Sequence, residues 1–385
     1  MELTKLRAQI DELDDQLVDR LCERMDLSTA VAAYKAAHHL PVLAAGREAE
    51  VLDKVRARVQ ATRPDADGYP EAAAQVFAAM MDTSRALQHR RMGAGATLRG
   101  KIDDACRRPL ITGQTRVVCA GSPGAYAHKA AVTMFPFCAG EGRQPRFVPT
   151  FADVVAAVRD GQAEYGILPV ENSSTGSVNE VFDLILTHRY CIVAATTVAV
   201  RHCLMARPDA GTITDVYSHH QALSQCGEYL AARGLTAHGY PNTATAAQMV
   251  AESEKKHIAA IASEEAARLY GLTVLDRDIQ SVEHNVTRFI AISKTDIIPP
   301  GADKISVIFS LPHVTGSLYR ILAQFAIEGL NLTKLESRPV KNGAFEYAFY
   351  LDFEGSVERE ATKELLCSLS DELPQFCLLG NYKEI

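Results

Sequence analysis

The stretch Gly166-Ile167-Leu168-Pro169-Val170-Glu171-Asn172-Ser173-Ser174-Thr175-Gly176 decides the fold. Its first half is an apolar run of strand length, as a strand buried on both faces requires. Its second half puts a carboxylate, an amide and three hydroxyls into one loop. Asn, Ser and Thr also cap helices and build turns, and some of them must cap the helix expected near Val178. The cluster exceeds what a cap needs, so the loop is a candidate site at the end of a buried strand.

Residues 115–293 continue this pattern outward. Strands are expected at Arg116–Ala120, Tyr165–Pro169, Ile192–Thr196, Val216–Ser218, Ile258–Ala262 and Val286–Ile292, with helices such as Phe151–Arg159 and Gln221–Ala232 between them. The reading is α/β. Three further polar groups fall at strand ends. They are Gly121-Ser122-Pro123-Gly124-Ala125-Tyr126, then Ser218-His219-His220-Gln221 with Gln225, then Asn285-Val286-Thr287-Arg288-Phe289. Taken singly, the first is an anion-binding loop or a tight turn, and threonine in the last is an ordinary strand former.

The chain opens differently. Leu3, Leu6, Ile10, Leu13, Leu17 and Leu21 step by three and four, and the stripe runs on through Arg24, Ser28, Val31 and Lys35. This predicts one helix over 3–40 that stops at Pro41. Two shorter helices are expected over 46–62 and 70–92. The long helix spans about 50 Å, more than two short helices can cover, so a second copy of the chain is the expected partner. Arg24 and Lys35 lie on the apolar stripe, Ser84 and Gln88 are i, i+4 neighbours on the third helix, and Arg47 and Glu48 open the second. Cations on a core face fit either a pocket for a dicarboxylate, or snorkelling side chains and interhelical salt bridges.

Residues 93–114, rich in Gly, Arg and Lys, read as a linker. From 303 the order becomes strand, helix, strand, strand, helix, strand, at Lys304–Leu311, Gly316–Glu328, Thr333–Arg338, Glu346–Phe353, Arg359–Ser370 and Leu378–Tyr382, with Lys341-Asn342-Gly343 as the hairpin turn. That is a ferredoxin-like βαββαβ unit, an α+β module.

Composition limits the function. The 385 residues carry a formal net charge of -7, which argues against nucleic acid as a partner. Nine cysteines without a C-x-x-C pair argue for free thiols in a reducing compartment and against a zinc site. The N-terminus lacks an apolar signal region, and no apolar run approaches the roughly 20 residues of a membrane span, so a cytoplasmic location is expected.

Three sets of motifs carry a resemblance over nearly the whole chain. LRAQIDELD, LCERMDLSTAVAAYK, GREAE and SRALQ resemble the all-helical chorismate mutase domain. G-x-x-G-x-Y, PVENSSTG, YSHxQ and the T-R-F triplet, in that order, resemble prephenate dehydratase. Thr315-Gly316-Ser317-Leu318 and Glu336-Ser337-Arg338-Pro339 resemble an ACT regulatory domain. The implied organisation is a mutase domain over 1–92, a linker over 93–114, a two-lobed dehydratase over 115–295 similar to type II periplasmic binding proteins, and an ACT domain over 302–385. The lobes are expected as 115–190 plus 272–293, and 191–271.

The implied activity belongs to phenylalanine biosynthesis. Chorismate is rearranged to prephenate, prephenate is dehydrated and decarboxylated to phenylpyruvate, and phenylalanine inhibits. In the mutase, the resemblance implies that Arg7 from the partner subunit and Arg24 hold carboxylates. Lys35 and Gln88 would bond the ether oxygen, while Arg47 and Glu48, with Ser84 nearby, face the other polar groups. The family usually has an aspartate where this chain has Ala44. In the dehydratase, Thr287 is implied as the donor to the leaving hydroxyl, assisted by Glu171. Arg288, Ser173 and Ser174 would position carboxylates, and Asn172, Thr175, His219, Gln225 and Phe289 would line the pocket. Gly316, Ser317 (where the family usually has alanine), Leu318, Glu336, Ser337 and Arg338 would bind phenylalanine between paired domains. No metal or organic cofactor is implied. Two alternatives remain: a dehydratase whose helical block is only a dimerisation arm, and an amino-acid sensor without catalysis. Arogenate, the amino analogue of prephenate, is an alternative substrate.

Overall fold

The computed structural model describes residues 3–42, 45–93, 95–110, 115–140, 142–282, 284–339 and 347–385. Ala44 and the turn expected at Lys341-Asn342-Gly343 lie outside the described residues. The chain divides into two compact units, one of Met1–Lys101, Phe309–Phe349 and Val357–Phe376, the other of Ile102–Ile308, Tyr350–Ser356 and Cys377–Ile385.

In the first unit, α1 (Leu3–Ala37), α2 (Ala45–Thr62) and α3 (Tyr69–Met92) are the three expected helices. Pro41 does not end α1. The helix stops at Ala37, because His39 takes a left-handed conformation (φ 53) and Leu40 N donates to Lys35 O at 3.0 Å. This backbone closure satisfies the last carbonyls before the proline is reached. The stripe of α1 faces outward, with Leu3, Leu13 and Leu17 about 60% exposed. A helix α4 (Ala96–Cys106) occupies much of the stretch expected as a linker, with Ile102 and Ala105 buried.

The second unit carries two sheets. The first lobe contains β1 (Val117–Ala120), α5 (Tyr126–Met134), β2 (Arg146–Val148), α6 (Phe151–Arg159), β3 (Tyr165–Asn172), β4 (Gly176–Ser177), α7 (Asn179–His188) and β5 (Cys191–Ala199). The chain then builds the second lobe from β6 (Cys203–Ala206), β7 (Asp215–Ser218), α8 (His220–Gln225), α9 (Gly227–Ala232), β8 (Thr236–Gly239), α10 (Thr243–Glu252), β9 (Ile258–Ala262), α11 (Glu264–Tyr270) and β10 (Thr273–Asp276). It returns to the first lobe through β11 (Val286–Ser293). The second sheet has the order β10-β6-β9-β7-β8.

The lobe boundaries therefore differ from those expected. β5 pairs with β11 in the first lobe, and β10 pairs with β6 in the second. An apolar strand can join either sheet, and pairing alone decides which. The two crossings, 200–202 and 277–285, are tied together: His202 N donates to Gln280 Oε1 at 2.9 Å, Ile279 N to His202 O at 3.1 Å, and Val200 N to Asn285 O at 2.8 Å.

The last elements are β12 (Lys304–Leu311), α12 (Ser317–Ile327), β13 (Leu332–Pro339), β14 (Tyr347–Glu354), α13 (Glu360–Glu372) and β15 (Cys377–Glu384). Their strand order, β13-β14-β12-β15, is the ferredoxin-like one. β15 also pairs in parallel with β5, Lys383 opposite Ala194. Gly380 permits the approach, since a Cβ there would run into the Ile192 carbonyl oxygen.

Candidate functional site

The helical unit holds a cavity of about 490 Å³. Its lining includes Arg24, Ser28, Lys35, Arg47, Glu48, Ser84, Arg85 and Gln88, so side chains from α1, α2 and α3 converge on it. Arg24 Nη1 donates to Ser84 Oγ at 2.8 Å. Lys35 Nζ donates to Gln88 Oε1 at 3.1 Å and to Val42 O at 2.6 Å, and Gln88 Nε2 donates to Ser28 Oγ at 3.1 Å. Burial lowers the Lys35 pKa, an effect that the Glu48 carboxylate opposes. Arg47 forms a largely exposed pair with Glu50 at 3.1 Å. Arg7 is exposed on α1 and does not line the cavity. Seventeen residues of helix, about 25 Å, separate it from Arg24, so within one chain it cannot reach this pocket.

Arg85 is a cavity residue absent from the expected set. Its Nη1 donates to Glu48 Oε1 at 2.5 Å, and its Nη2 pairs with Asp82. Only the helical rotation of 100° per residue could have flagged it, as a cation on the flank of the stripe carrying Ser84 and Gln88.

In the second unit, the loop after β3 meets the start of β11. Asn172 lies at the centre. Its Nδ2 donates to Thr287 Oγ1 at 2.9 Å, to Asn285 Oδ1 at 2.7 Å and to Val286 O at 3.2 Å. Its Oδ1 accepts from the backbone N–H of Ser174 and of Thr175, at 3.0 and 3.1 Å, and from both their hydroxyls. Two backbone donors fix which end of the amide carries oxygen. Ser173 Oγ donates to His284 O and accepts from Val286 N, both at 3.0 Å. Thr287 is 9% exposed.

The second lobe closes on this loop. From α8, Gln221 Nε2 donates to Thr175 Oγ1 and Gln225 Nε2 to Ser174 Oγ, both at 3.1 Å. His202 Nε2 lies 2.9 Å from Gln225 Oε1, and burial lowers its pKa. Tyr126 OH donates to Arg201 O at 2.7 Å. The glycine loop packs on α11: a Cβ at Gly124, φ 83, would come within 3.1 Å of Ala266. His219 serves as the N-cap of α8, accepting from Gln221 N at 3.4 Å, and burial, with His220 beside it, lowers its pKa. Gln221 and Asn285 belong to motifs read from the sequence, but their contacts to Thr175 and Asn172 give them roles the motifs do not. His202 carries no sequence signal, since nothing in its spacing marks it.

Three expected pocket residues lie elsewhere. In the antiparallel pair β3–β11, Asn172 faces Thr287 and Glu171 faces Arg288. Opposed residues share a face and successive residues alternate, so Glu171 and Arg288 point away from Thr287. The Arg288 guanidinium donates to Asp352 Oδ2 at 2.5 Å, Glu384 Oε1 at 2.8 Å and Tyr382 OH at 2.9 Å, leaving little of its fork for substrate. Phe289 is buried in the apolar cluster of Ile167, Val193 and Met134, a core residue.

In the C-terminal segment, Gly316 is left-handed (φ 82) before α12, and Leu318 lies in the first turn. Ser317 Oγ is buried with no hydrogen-bond partner among the described residues. On β13, Lys334, Glu336 and Arg338 share a half-buried face, and Ser337 points to the exposed one. Glu336 lies 3.7 Å from Arg338. No helix among the described residues is long and apolar enough to cross a membrane, and no cluster of three or more His, Cys, Asp or Glu there is placed to hold a metal ion.

The helical cavity and the Asn172–Thr287 cluster each fall in a segment that matches a known protein family. Residues 6–89 match the family model of chorismate mutase type II, and residues 117–297 that of prephenate dehydratase. The chain is 32% identical to the bifunctional chorismate mutase/prephenate dehydratase of Aquifex aeolicus, over 99% of this chain and 98% of that protein. It is 39% identical to arogenate dehydratase 2 of Petunia hybrida, over 69% of this chain and 71% of that one. A prephenate dehydratase from Arthrobacter aurescens, solved in complex with L-Phe, is 29% identical with a TM-score of 0.61, covering 70% of this chain and 89% of that one. The protein is an enzyme with a chorismate mutase domain and a prephenate dehydratase domain. It belongs to the bifunctional chorismate mutase/prephenate dehydratase family.

Proposed function

We propose that the helical cavity binds chorismate and rearranges it to prephenate, that Thr287 drives its conversion to phenylpyruvate, and that phenylalanine binds the C-terminal ACT domain. The rearrangement needs no nucleophile. It needs a compact substrate conformer and donors where negative charge grows on the ether oxygen. Lys35 and Gln88 supply those donors, and Arg24 with Ser84 holds a carboxylate. Since Arg7 lies about 25 Å away along its own helix, the Arg7 of this site comes from a second copy, docked on the exposed leucine stripe of α1.

In the dehydratase, the electron pair of the breaking C–CO2 bond moves into the ring, aromatises it and expels the ring hydroxyl. The hydroxyl leaves as water on taking a proton from Thr287, which is restored from solvent. Asn172 donates to Thr287 Oγ1. That bond stabilises charge on the oxygen and turns the single proton of Thr287 outward. Ser173, Ser174, Thr175, His219 and Gln225 shape the pocket around it. In the ACT domain the buried Ser317 hydroxyl, with Gly316 and Leu318, and the Glu336-Ser337-Arg338 strand are the proposed phenylalanine contacts.

The carrying observation is that the cationic Lys35–Gln88 cavity and the Asn172–Thr287 pair occur in one chain, where the product of one site is the substrate of the other. The test supplies chorismate alone and measures phenylpyruvate with and without phenylalanine. Product that falls when phenylalanine is added supports the whole reading. Turnover of prephenate but not chorismate reduces the helical block to a dimerisation arm, and turnover of neither leaves an amino-acid sensor. Since an arogenate dehydratase is among the similar proteins, arogenate is supplied in parallel, and faster turnover of it would change the substrate.

A further inference from the structure

Arg85 lies between three carboxylates on different elements. Glu48 of α2 is a cavity residue, Asp82 is one turn back on α3, and Glu372 closes α13. Both Arg85 and Glu372 are about nine-tenths buried at the side chain. Arg85 Nε lies 3.6 Å from Glu372 Oε1, and His89 Nε2 lies 2.8 Å from the same oxygen. Neither nitrogen is aligned to hydrogen-bond it. Glu372 is thus held by charge, whereas Glu48 accepts an aligned bond of 2.5 Å. Burial opposes the Arg85 charge, and Glu372, Glu48 and Asp82 together outweigh it and raise its pKa.

We infer that Arg85 is a positioning residue of the mutase site, bridging Glu48 in the cavity to Glu372 on α13, so that the C-terminal helix sets how fully the Glu48 charge is neutralised. This rests on the reading of the cavity as the chorismate site. The chemistry gives it a direction. Chorismate is a dianion, and an uncompensated carboxylate beside it weakens binding. One guanidinium cannot satisfy three carboxylates equally. Removing the charge of Glu372 leaves Arg85 to Glu48 and Asp82, and removing Arg85 strands Glu48.

The experiment uses the full-length chain and four variants, Glu372→Gln, Arg85→Gln, Arg85→Lys and the double variant of Glu372→Gln with Arg85→Gln. Mutase kcat and KM are measured beside dehydratase kinetics. Arg85→Gln is expected to raise the mutase KM about tenfold, and Glu372→Gln to lower it about threefold with dehydratase kinetics unchanged. In the Arg85→Gln background, Glu372→Gln should do nothing further, and Arg85→Lys should recover part of the loss. A purely structural Arg85 would lower kcat and stability without opposed KM shifts. Equal KM in Glu372→Gln and wild type, or an unchanged Glu372→Gln effect in the Arg85→Gln background, overturns the inference. If the wild type does not turn over chorismate, the functional reading fails instead. Denaturant unfolding of Glu48→Gln, Glu372→Gln and their double variant, in the wild-type and the Arg85→Gln background, then still decides the bridge, because direct repulsion between the two carboxylates would survive the loss of Arg85 and a bridge would not.

Discussion

Asn172 donates a hydrogen bond of 2.9 Å to the Thr287 hydroxyl oxygen, while its own carbonyl is occupied by the backbone of Ser174 and Thr175. The amide therefore cannot turn round and accept the threonine proton. Thr287 keeps that proton for another acceptor, which in the proposed reaction is the leaving hydroxyl.

Asn172→Asp tests this with little change of shape. The introduced carboxylate still accepts from the loop, but it can no longer donate, and it captures the Thr287 proton. Dehydratase kcat is expected to fall about 100-fold or more, in the range for loss of a positioned general acid, with mutase activity unaffected. Steady-state kinetics on prephenate check it. An unchanged kcat would remove Thr287 from the role of proton donor.

Arg288 is expected to behave as a structural residue. It faces Asp352, which is fully buried, together with Glu384. Arg288→Leu leaves Asp352 without its cation, a loss of about 3–5 kcal/mol for a broken buried pair. Denaturant unfolding should show that loss, and the residual folded enzyme should keep its KM for prephenate. A raised KM at unchanged stability would return Arg288 to the substrate pocket.

The alkaline limb of mutase activity should come from Lys35. Burial lowers its pKa from the ordinary lysine value, so the proton is lost earlier as pH rises. With Lys35 in its proposed role as donor to the ether oxygen, the rate should fall on the alkaline side as that charge is lost, beginning below the ordinary lysine range near 10.4. Glu48, which opposes the shift, should matter in a definite sense: Glu48→Gln moves the limb to lower pH. A pH profile of mutase kcat/KM is the measurement, and a limb that stays put in Glu48→Gln would point to another group.

How much is legible in the sequence follows from which physical signals are local. The helix pattern through Leu3, Leu17 and Lys35 and the buried run Ile167–Val170 are set by periodicity, and α1 and β3 appear where expected. The end of α1 is not where Pro41 suggests, because a left-handed His39 closes the helix first. α4 escapes the pattern because Gly and basic residues around Leu98, Ile102 and Ala105 disguise a short apolar face. Within the site, Asn172, Thr287 and Gln225 come together, but adjacent Thr287 and Arg288 are not one functional group. Neighbours on a strand point to opposite faces, and only the β3–β11 register says which face is the cleft. The partners of Arg85 and Arg288 include residues of α13, β14 and β15, far away in sequence, and no local pattern reports them.

Arg7 is a candidate ligand that its own chain holds about 25 Å from Arg24, and the leucine stripe beside it is uncovered. If two copies exchange α1 helices, each site combines Arg24 of one chain with Arg7 of the other. Arg7→Ala and Arg24→Ala should then each abolish mutase activity alone. Unfolded and refolded together in equal amounts, half of the dimers are mixed, and each mixed dimer has one site with both arginines. Mutase activity should return to about a quarter of wild type, the statistical share of intact sites in a random C2 mixture. Dehydratase activity, which does not depend on α1 chemistry, should stay constant throughout. If mixing restores nothing while each variant still dimerises, Arg7 does not act across the interface, and the helical cavity must bind its dianion with Arg24, Lys35 and Arg47 alone.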